Sequence, residues 1–492
     1  MSIKELVLKT ATEQREALLN KDVKAIELVE ETYRRIEAQD EKIGAYNSLT
    51  KEYAIETAKK VDEKIQAGEN LPPLAGIPLA LKDNINLKGY TTTASSKILE
   101  NFVSPYDATV TKKLKENLIP ILGKANLDEF AMGSSNENSA FKIVRNPWDL
   151  NKVPGGSSGG SAASVAAGEA TMALGSDTGG SIRLPASYCG LVGLKPTYGR
   201  VSRYGLIAFA SSLDQIGPLT RSVEDSALLL NTICGHDAKD STSLDIDTPD
   251  FTKDLKNSIK GLKIGVIKEL VGEGLTSSVE KSIQDAIEKY KEMGAEIVEL
   301  SFPLIKYSIG VYYIIATAEA SSNLARFDGV KYGHRTSNPE SLIDMYNKTR
   351  AEGFGDEVKR RIMLGTYALS SGYYDAYYKK AQQLRHLIKS DFDKAFEKVD
   401  VLLSPTCPHT AFELGSKVSD PLSMYLTDIA TITANLAGLP AMSLPCGLDD
   451  SKMPIGVQLL APALQESKLL NVAYNLEQAV DFSKNKPDLI LA

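Results

Sequence analysis

Three residues that could together form the machinery of a serine hydrolase stand at two glycine turns and at the end of a short apolar run. Ser157 lies in the run Gly155–Ser161, and Ser181 ends the turn Asp177–Ser181. Lys82 follows the apolar run. A serine hydroxyl is a weak nucleophile until a neighbouring base takes its proton. A lysine can be that base when burial lowers its pKa and leaves it neutral.

The elements predicted around these residues bring them to one place. A helix of small residues is predicted over 161–169, after Ser157, and a strand over 170–176 leads to Ser181. In a strand–helix–strand unit, the start of the helix and the end of the next strand lie at the same edge of the sheet. Lys82 also ends a predicted strand. We therefore expect all three side chains at the carboxyl edge, where open α/β sheets bind ligands.

In the favoured interpretation, Ser181 attacks and Ser157 relays its proton to Lys82, because a hydroxyl both donates and accepts. Glycines let a substrate approach the backbone, whose N–H groups can stabilise the oxyanion of the tetrahedral intermediate. The predicted oxyanion-hole donors are the N–H groups of Thr178, Gly179, Gly180 and Ser181.

Two other interpretations of the glycine-rich run compete with this one. Gly155–Gly159 satisfies the G-x-S-x-G pattern, which would make Ser157 the nucleophile and require a histidine base. The sequence has four histidines, and of these only His409, which follows two prolines, is a plausible partner. A flexible linker is disfavoured because the run continues into the small apolar stretch Ala162–Gly168.

Composition and charge restrict the class of protein. The 492 residues are 43% hydrophobic and 24% charged, with a formal net charge of −7. A mildly acidic chain is a poor nucleic-acid binder on its own. The four cysteines form no C-x-x-C pair and predict free thiols in a reducing compartment. The start of the chain has no apolar run typical of a signal peptide, and no run of about 18 apolar residues predicts a membrane helix. We expect a cytoplasmic protein with no membrane contact.

Strand and helix patterns alternate along the chain, which predicts an α/β fold with a central mixed sheet covered by helices on both faces. Residues 1–70 are predicted to form an N-terminal helical layer. Residues 71–492 are predicted to form the catalytic domain, with a largely helical excursion at about 303–398.

The two serine-containing runs resemble the signature of the amidase signature family. The matching segments are Gly155–Ser161, Gly175–Arg183 and the lysine in Ala80–Asn84. The resemblance implies the amidase signature fold and a Ser–cis-Ser–Lys triad made of Ser181, Ser157 and Lys82. It also implies a cis peptide bond between Gly156 and Ser157.

Further segments resemble one branch of that family, the glutamine-hydrolysing A subunits of tRNA-dependent amidotransferases. These segments are Asp128–Ser135, Gly199–Gly205, Glu357–Arg361, Leu426–Ala430 and Gly438–Ala441. The resemblance implies a heterotrimer with B and C subunits, in which ammonia from glutamine serves Glu-tRNA(Gln), Asp-tRNA(Asn) or both. ATP, Mg²⁺ and most tRNA contacts are expected in the B subunit. No cofactor or metal is expected in this chain, which has neither a G-x-x-x-x-G-K-[ST] loop nor a Cys/His cluster.

Free glutamine carries an α-carboxylate and an α-ammonium, which are costly to bury without partners. The resemblance assigns them to Arg361 and Asp428, with Tyr312 nearby. From the sequence alone, Arg361 could equally be a helix-surface arginine, whereas Asp428 falls in an apolar helix predicted over 424–436. Two other hypotheses remain: a stand-alone amidase for small aliphatic or aryl amides, and a scaffold that has lost catalysis.

Overall fold

The structure, a computed structural model, describes residues 1–272, 274–418, 420–487 and 489. Its central feature over these residues is one sheet of eleven strands. The strands are β1 Tyr46–Leu49, β2 Leu79–Lys82, β3 Ile121–Ala125, β4 Met172–Asp177, β5 Val192–Lys195, β6 Gln215–Thr220, β7 Lys263–Ile267, β8 Glu296–Leu300, β9 Val401–Pro405, β10 Ala441–Leu448 and β11 Pro454–Leu460.

Sixteen α-helices flank the sheet within the same described ranges. They are α1 Ile3–Leu6, α2 Ala11–Leu19, α3 Ala25–Ile43, α4 Lys51–Gln66, α5 Thr109–Glu116, α6 Gly159–Ala166, α7 Arg183–Cys189, α8 Val223–Ile233, α9 Ser277–Glu292, α10 Ser308–Asn323, α11 Leu342–Gly353, α12 Asp356–Leu369, α13 Lys380–Phe396, α14 Pro421–Leu426, α15 Ile432–Ala437 and α16 Glu466–Val480. A π-helical turn, Tyr374–Lys379, leads into α13. Among the described residues, no helix is long and apolar enough to span a bilayer.

The sheet is mixed, as predicted. Its strand order is β1-β3-β2-β4-β6-β5-β10-β11-β9-β7-β8. Strand β2 runs parallel to β3 and β4, and β7 runs parallel to β8 and β9, while the other pairs are antiparallel. Every residue of β2 and β4 is buried, which is why both read as continuous apolar runs rather than as alternating patterns.

The first 70 residues join the main sheet. They contribute α1–α4, in line with the predicted helical layer, and also the strand β1, which pairs antiparallel with β3. One hydrophobic core runs from Leu6 in α1 to Leu476 in α16. The N-terminal layer therefore shares its core with strands of the main sheet.

The excursion over residues 303–398 is helical. It holds α10–α13, and no strand lies between β8 and β9 in the described part of the chain. These helices build a second core with α15, whose members include Ile315, Val358 and Phe392. The excursion carries two of the residues predicted to bind glutamine.

The predicted helix over 424–436 is wrong in its middle. The chain forms α14 and α15, and Asp428 lies in the turn between them. The hydroxyl of Thr431 lies within hydrogen-bond distance of the backbone oxygens of Gly179 (2.7 Å) and Asp428 (3.0 Å). Such bonds from side chain to backbone compete with helical ones, and Thr431 makes these contacts at the point where the predicted helix is interrupted.

Candidate active site

Lys82 ends β2 and is completely buried. Its Nζ lies 2.8 Å from Ser157 Oγ and 2.8 Å from Ser158 Oγ. It also lies 2.9 Å from Ser176 Oγ and 3.2 Å from the carbonyl oxygen of Ser176, at the end of the neighbouring strand β4. The predicted contact between Lys82 and Ser157 is therefore present.

Burial lowers the pKa of Lys82 to about 7, although the charges of Asp128, Asp177 and Asp214 favour the ammonium form. A neutral amine has two N–H donors and one lone pair. The carbonyl of Ser176 can only accept a hydrogen bond, whereas the hydroxyl of Ser157 can also donate one. The geometry thus allows the Lys82 lone pair to accept a proton from Ser157, as a general base must.

Ser157 lies two residues before the start of α6, and the peptide bond between Gly156 and Ser157 is cis, as the resemblance implies. The small residues around it are required by close packing. A Cβ at Gly156 would overlap the carboxylate of Asp128, and a Cβ at Gly160 would overlap the backbone oxygen of Asn126. The glycine-rich run is therefore a tightly packed turn and not a linker.

Ser181 follows the turn after β4 and is 8% exposed. The N–H of Ser158 donates to its carbonyl oxygen over 3.2 Å, which joins the two serine turns directly. Within the described residues its hydroxyl makes no hydrogen bond, so it is not committed to a structural role. This placement fits the nucleophile predicted from the sequence.

A buried ion pair shapes the turn that carries Ser181. Asp177 and Arg183 are both inaccessible to solvent, and their closest atoms are 3.0 Å apart. Burial raises the pKa of Asp177, but Arg183 more than offsets this and the pKa falls to about 2. The carboxylate accepts hydrogen bonds from the backbone N–H groups of Gly180 and Ile182, so it clamps the turn from inside.

This clamp alters the predicted oxyanion hole. The N–H of Gly180 donates to Asp177 over 2.9 Å and is already committed, which corrects its assignment as a free donor. The N–H groups of Gly179 and Ser181 donate to no described residue. Thr178 is held through its side chain, which donates to Asp214 over 2.7 Å. The oxyanion hole stays a prediction, with the N–H groups of Thr178, Gly179 and Ser181 as its candidate donors.

Tyr312, on α10, lies over this turn. A Cβ at Gly179 would come within 2.8 Å of the Tyr312 hydroxyl oxygen, so the phenol end of the side chain faces the predicted oxyanion hole. The ring is nearly buried, and burial raises the pKa of its hydroxyl. The structure therefore brings Tyr312 to the site, as expected.

Arg361 is not a surface arginine. It is 3% exposed on the inner side of α12, and its guanidinium lies against the rings of Phe209, Tyr313 and Tyr425. Nε donates to Glu357 over 2.8 Å. Among the described residues, the two terminal nitrogens have no hydrogen-bond partner. They are therefore available to a carboxylate.

Asp428 is 7% exposed, and burial raises its pKa to about 7, although a hydrogen bond from Ser134 and the charge of Arg361 oppose the shift. The hydroxyl of Ser134 donates to Oδ2 over 2.5 Å. The other oxygen, Oδ1, accepts no hydrogen bond from a described residue. Arg361 and Asp428 are thus two buried ionisable groups close enough for the charge of the first to oppose the pKa shift of the second. Thr431 contacts the backbone oxygens of both Asp428 and Gly179, which joins Asp428 to the turn of Ser181.

The histidine alternative does not fit the structure. Nδ1 of His409 lies 3.1 Å from the hydroxyl of Tyr188, and Nε2 lies 2.8 Å from Nζ of Lys417. Both ring nitrogens are engaged away from Ser157, whose hydroxyl contacts Lys82 instead. Ser157 therefore has no histidine base.

Sequence reasoning missed the residues that hold the predicted site residues in position. These are Ser158 and Ser176 around Lys82, the Asp177–Arg183 pair, and Glu357 beside Arg361. The signature itself held one signal, because Arg183 opens a helix of otherwise apolar and small residues and needs a buried partner. The described residues include no group of three or more His, Cys, Asp or Glu side chains arranged to hold a metal ion.

The buried Lys82 beside Ser157 fits the class of serine hydrolases predicted from the sequence. The chain belongs to the amidase family, because the family model described as Amidase matches residues 27–470. The family resemblance predicted from the sequence is thereby confirmed.

Several known proteins are similar over nearly the whole chain. A relative from Thermoanaerobacter pseudethanolicus, named as the A subunit of glutamyl-tRNA(Gln) amidotransferase, is 59% identical over 99% of both chains. The crystal structure of a protein of the same name from Thermotoga maritima is 43% identical, covers 97% of this chain and 94% of its own, and has a TM-score of 0.77. A bacterial aryl acylamidase of the amidase signature family is 25% identical over 98% of both chains, with a TM-score of 0.85.

Proposed function

We propose that this chain is the glutamine-hydrolysing subunit of a glutamyl-tRNA(Gln) amidotransferase. Relatives named as the A subunit of that enzyme, at 59–60% identity over 99% of the chain, support the proposal. The observation that carries the choice of substrate is the buried pair Arg361 and Asp428. A free amino acid is the ligand that offers a carboxylate to the first and an ammonium to the second.

In the proposed reaction, Ser181 attacks the side-chain amide carbon of glutamine while Ser157 takes its proton and passes one to neutral Lys82. The N–H groups of Gly179 and Ser181 stabilise the oxyanion. Lys82 returns the proton through Ser157 to the leaving nitrogen, which departs as ammonia. Water then cleaves the glutamyl ester by the same relay, so one glutamine and one water give glutamate and ammonia.

The ammonia is proposed to pass to a partner B subunit, with a C subunit completing a cytoplasmic heterotrimer. The B subunit would bind ATP, Mg²⁺ and most of the tRNA, and would convert Glu-tRNA(Gln), Asp-tRNA(Asn) or both. This division of labour is supported by the names of the relatives, which describe them as one lettered subunit of a larger enzyme.

A stand-alone amidase acting on uncharged amides is the second candidate. The aryl acylamidase similarity favours it, since its TM-score of 0.85 exceeds the 0.77 of the Thermotoga maritima protein. The identities, 25% against 43%, favour the first candidate. An uncharged amide would also leave the terminal nitrogens of Arg361 and Oδ1 of Asp428 without hydrogen-bond partners, which is costly for buried polar atoms.

Two truncated amides separate the candidates. In 4-aminobutanamide, glutamine lacks its α-carboxylate, and in 5-amino-5-oxopentanoate it lacks its α-ammonium. We expect Arg361→Ala to raise KM about tenfold or more for glutamine and the pentanoate but not for the butanamide, because a charge-assisted pair is lost. Asp428→Asn should instead raise KM for glutamine and the butanamide, which carry the ammonium, and leave KM for the pentanoate unchanged. Equal losses on all three amides would reject the glutamine site.

A further inference from the structure

We propose that Glu357 is a positioning residue that makes the site selective for amides bearing an α-carboxylate. Its carboxylate holds Arg361 by Nε, so that the two terminal nitrogens face the substrate. Tyr425 in turn holds the carboxylate. This inference rests on the proposed glutamine site.

One oxygen of the Glu357 carboxylate receives two hydrogen bonds, and the other, Oε2, accepts from Arg360 on the more exposed side of α12. Oε1 of Glu357 accepts from Arg361 Nε over 2.8 Å and from the hydroxyl of Tyr425 over 3.0 Å. Glu357 and Arg361 are four residues apart on α12 and therefore adjacent on its surface. The helix thus sets the distance between them before any substrate binds.

Aromatic rings pack against the guanidinium. The rings of Tyr313 and Tyr425 stack with centroids 3.8 Å apart, and the central guanidinium carbon lies 5.1 Å from the first centroid and 5.6 Å from the second. A guanidinium is planar and donates in fixed directions. With Nε anchored, its remaining donors point as a pair, which matches the two oxygens of a carboxylate.

Charge balance explains why the anchor is an acid. A buried guanidinium without a counter-charge is strongly unfavourable, and the site must persist when it is empty. Glu357 supplies that counter-charge, and it is ionised because Arg361 outweighs the burial that raises the pKa of its carboxyl. The arginine therefore stays charged and oriented between turnovers.

Tyr425 connects this anchor to the ammonium side of the site. It lies on α14, a helix with no buried residue, three positions before Asp428. Its hydrogen bond and its stacking tie α14 to α12 and α10. These two contacts of Tyr425 therefore couple the position of Arg361 on α12 to that of Asp428 in the turn after α14.

The test compares Glu357→Ala, Glu357→Gln and Tyr425→Phe in the complex with its partner subunits. We expect Glu357→Ala to raise KM for glutamine about tenfold or more, with a smaller change in kcat, because a charge-assisted hydrogen bond is lost. Binding of 4-aminobutanamide, measured as substrate or competitive inhibitor, should stay within about twofold. Glu357→Gln should recover much of the affinity, since its amide oxygen can accept both bonds. Tyr425→Phe keeps the ring and should show a smaller KM effect.

Equal losses on glutamine and the butanamide in Glu357→Ala would overturn the proposal, as would unchanged glutamine KM. If Glu357→Ala does not fold, judged by its thermal midpoint, Glu357→Gln and Tyr425→Phe replace it in the comparison of glutamine with the butanamide. Equal losses on the two amides, or an unchanged KM for glutamine in both variants, would then overturn the proposal. Arg361→Ala distinguishes a failure of the proposed glutamine site from a failure of the positioning role of Glu357. If that variant binds glutamine normally, the proposed site fails. If it fails to bind glutamine while Glu357→Ala binds it normally, only the positioning role fails.

Discussion

Two buried groups of the site titrate close to neutral pH. Burial lowers the pKa of Lys82 to about 7 and raises that of Asp428 to about 7. Lys82 must lose its proton to act as a base, and Asp428 must lose its proton to bind an ammonium. As the pH rises through neutrality, both groups therefore move towards their functional states.

This predicts a pH dependence that differs between substrates. Below about pH 7, log(kcat/KM) for glutamine should rise with a slope approaching 2, because the free enzyme must lose two protons. For 5-amino-5-oxopentanoate, which has no ammonium, the slope should be about 1. Initial rates between about pH 5.5 and 8.5 measure both profiles. In Asp428→Asn the glutamine slope should also fall to about 1, and identical profiles for the two amides in the wild type would contradict the assignment.

At the level of residues, the sequence predicts the site residues whose type and position form a recognisable pattern. Lys82, Ser157 and Ser181 follow from residue type and position at strand ends, and the structure brings Lys82 and Ser157 into contact. The hydrogen bond of the Gly180 N–H to Asp177 was not predictable, because it depends on the conformation of a turn. Whether Arg361 is buried or exposed was not predictable for a related reason, since burial of a helix face depends on which helix packs against it.

At the level of elements, the position of Arg361 depends on how closely α12 approaches α10. The contact contains Gly365, one turn after Arg361, and a Cβ at this position would overlap the backbone oxygen of Thr317 on α10. Tyr312 and Tyr313 lie on the same helix, α10. The glycine therefore sets the distance between two sides of the proposed glutamine site.

Gly365→Ala should separate these helices. We expect a loss of about 1–3 kcal/mol in the free energy of unfolding, as for other overpacked contacts, together with a raised KM for glutamine. Gly310→Ala is the matched control, because Gly310 lies in the partner helix α10 and a Cβ there would meet no neighbouring atom within 4 Å. It should leave KM unchanged and be neutral or stabilising by up to about 1 kcal/mol. Denaturant titration and glutamine kinetics measure both effects, and a fully stable Gly365→Ala with normal KM would refute this packing argument.

The existence and type of most elements near the site were predictable, whereas their boundaries were not. The strand expected over 170–176 is β4 Met172–Asp177, and the helix expected over 161–169 is α6 Gly159–Ala166. Short apolar runs and small-residue periodicity carry that information. The break between α14 and α15 was missed because Thr431, at the break, contacts the backbone oxygen of Gly179, and no local pattern encodes this tertiary contact.

At the scale of the whole molecule, the sheet and the helical excursion supply different parts of the site. Lys82 and Ser181 come from the ends of the adjacent parallel strands β2 and β4, so the sheet builds the hydrolytic centre. Tyr312 and Arg361 come from the excursion, and Asp428 from the turn after α14. In this account, the amidase core performs the chemistry and the excursion selects the substrate.

The central claim is that this chain makes ammonia at Ser181 for use at a separate site in a partner. The most direct test is Ser181→Ala in the complete complex, supplied with misacylated tRNA, ATP and either glutamine or an ammonium salt. We expect glutamine-dependent amidation to fall by about 10⁴-fold or more, because the nucleophile is lost, while ammonium-dependent amidation proceeds at the wild-type rate. Normal amidation from glutamine, or loss of amidation from both nitrogen donors, would contradict the account.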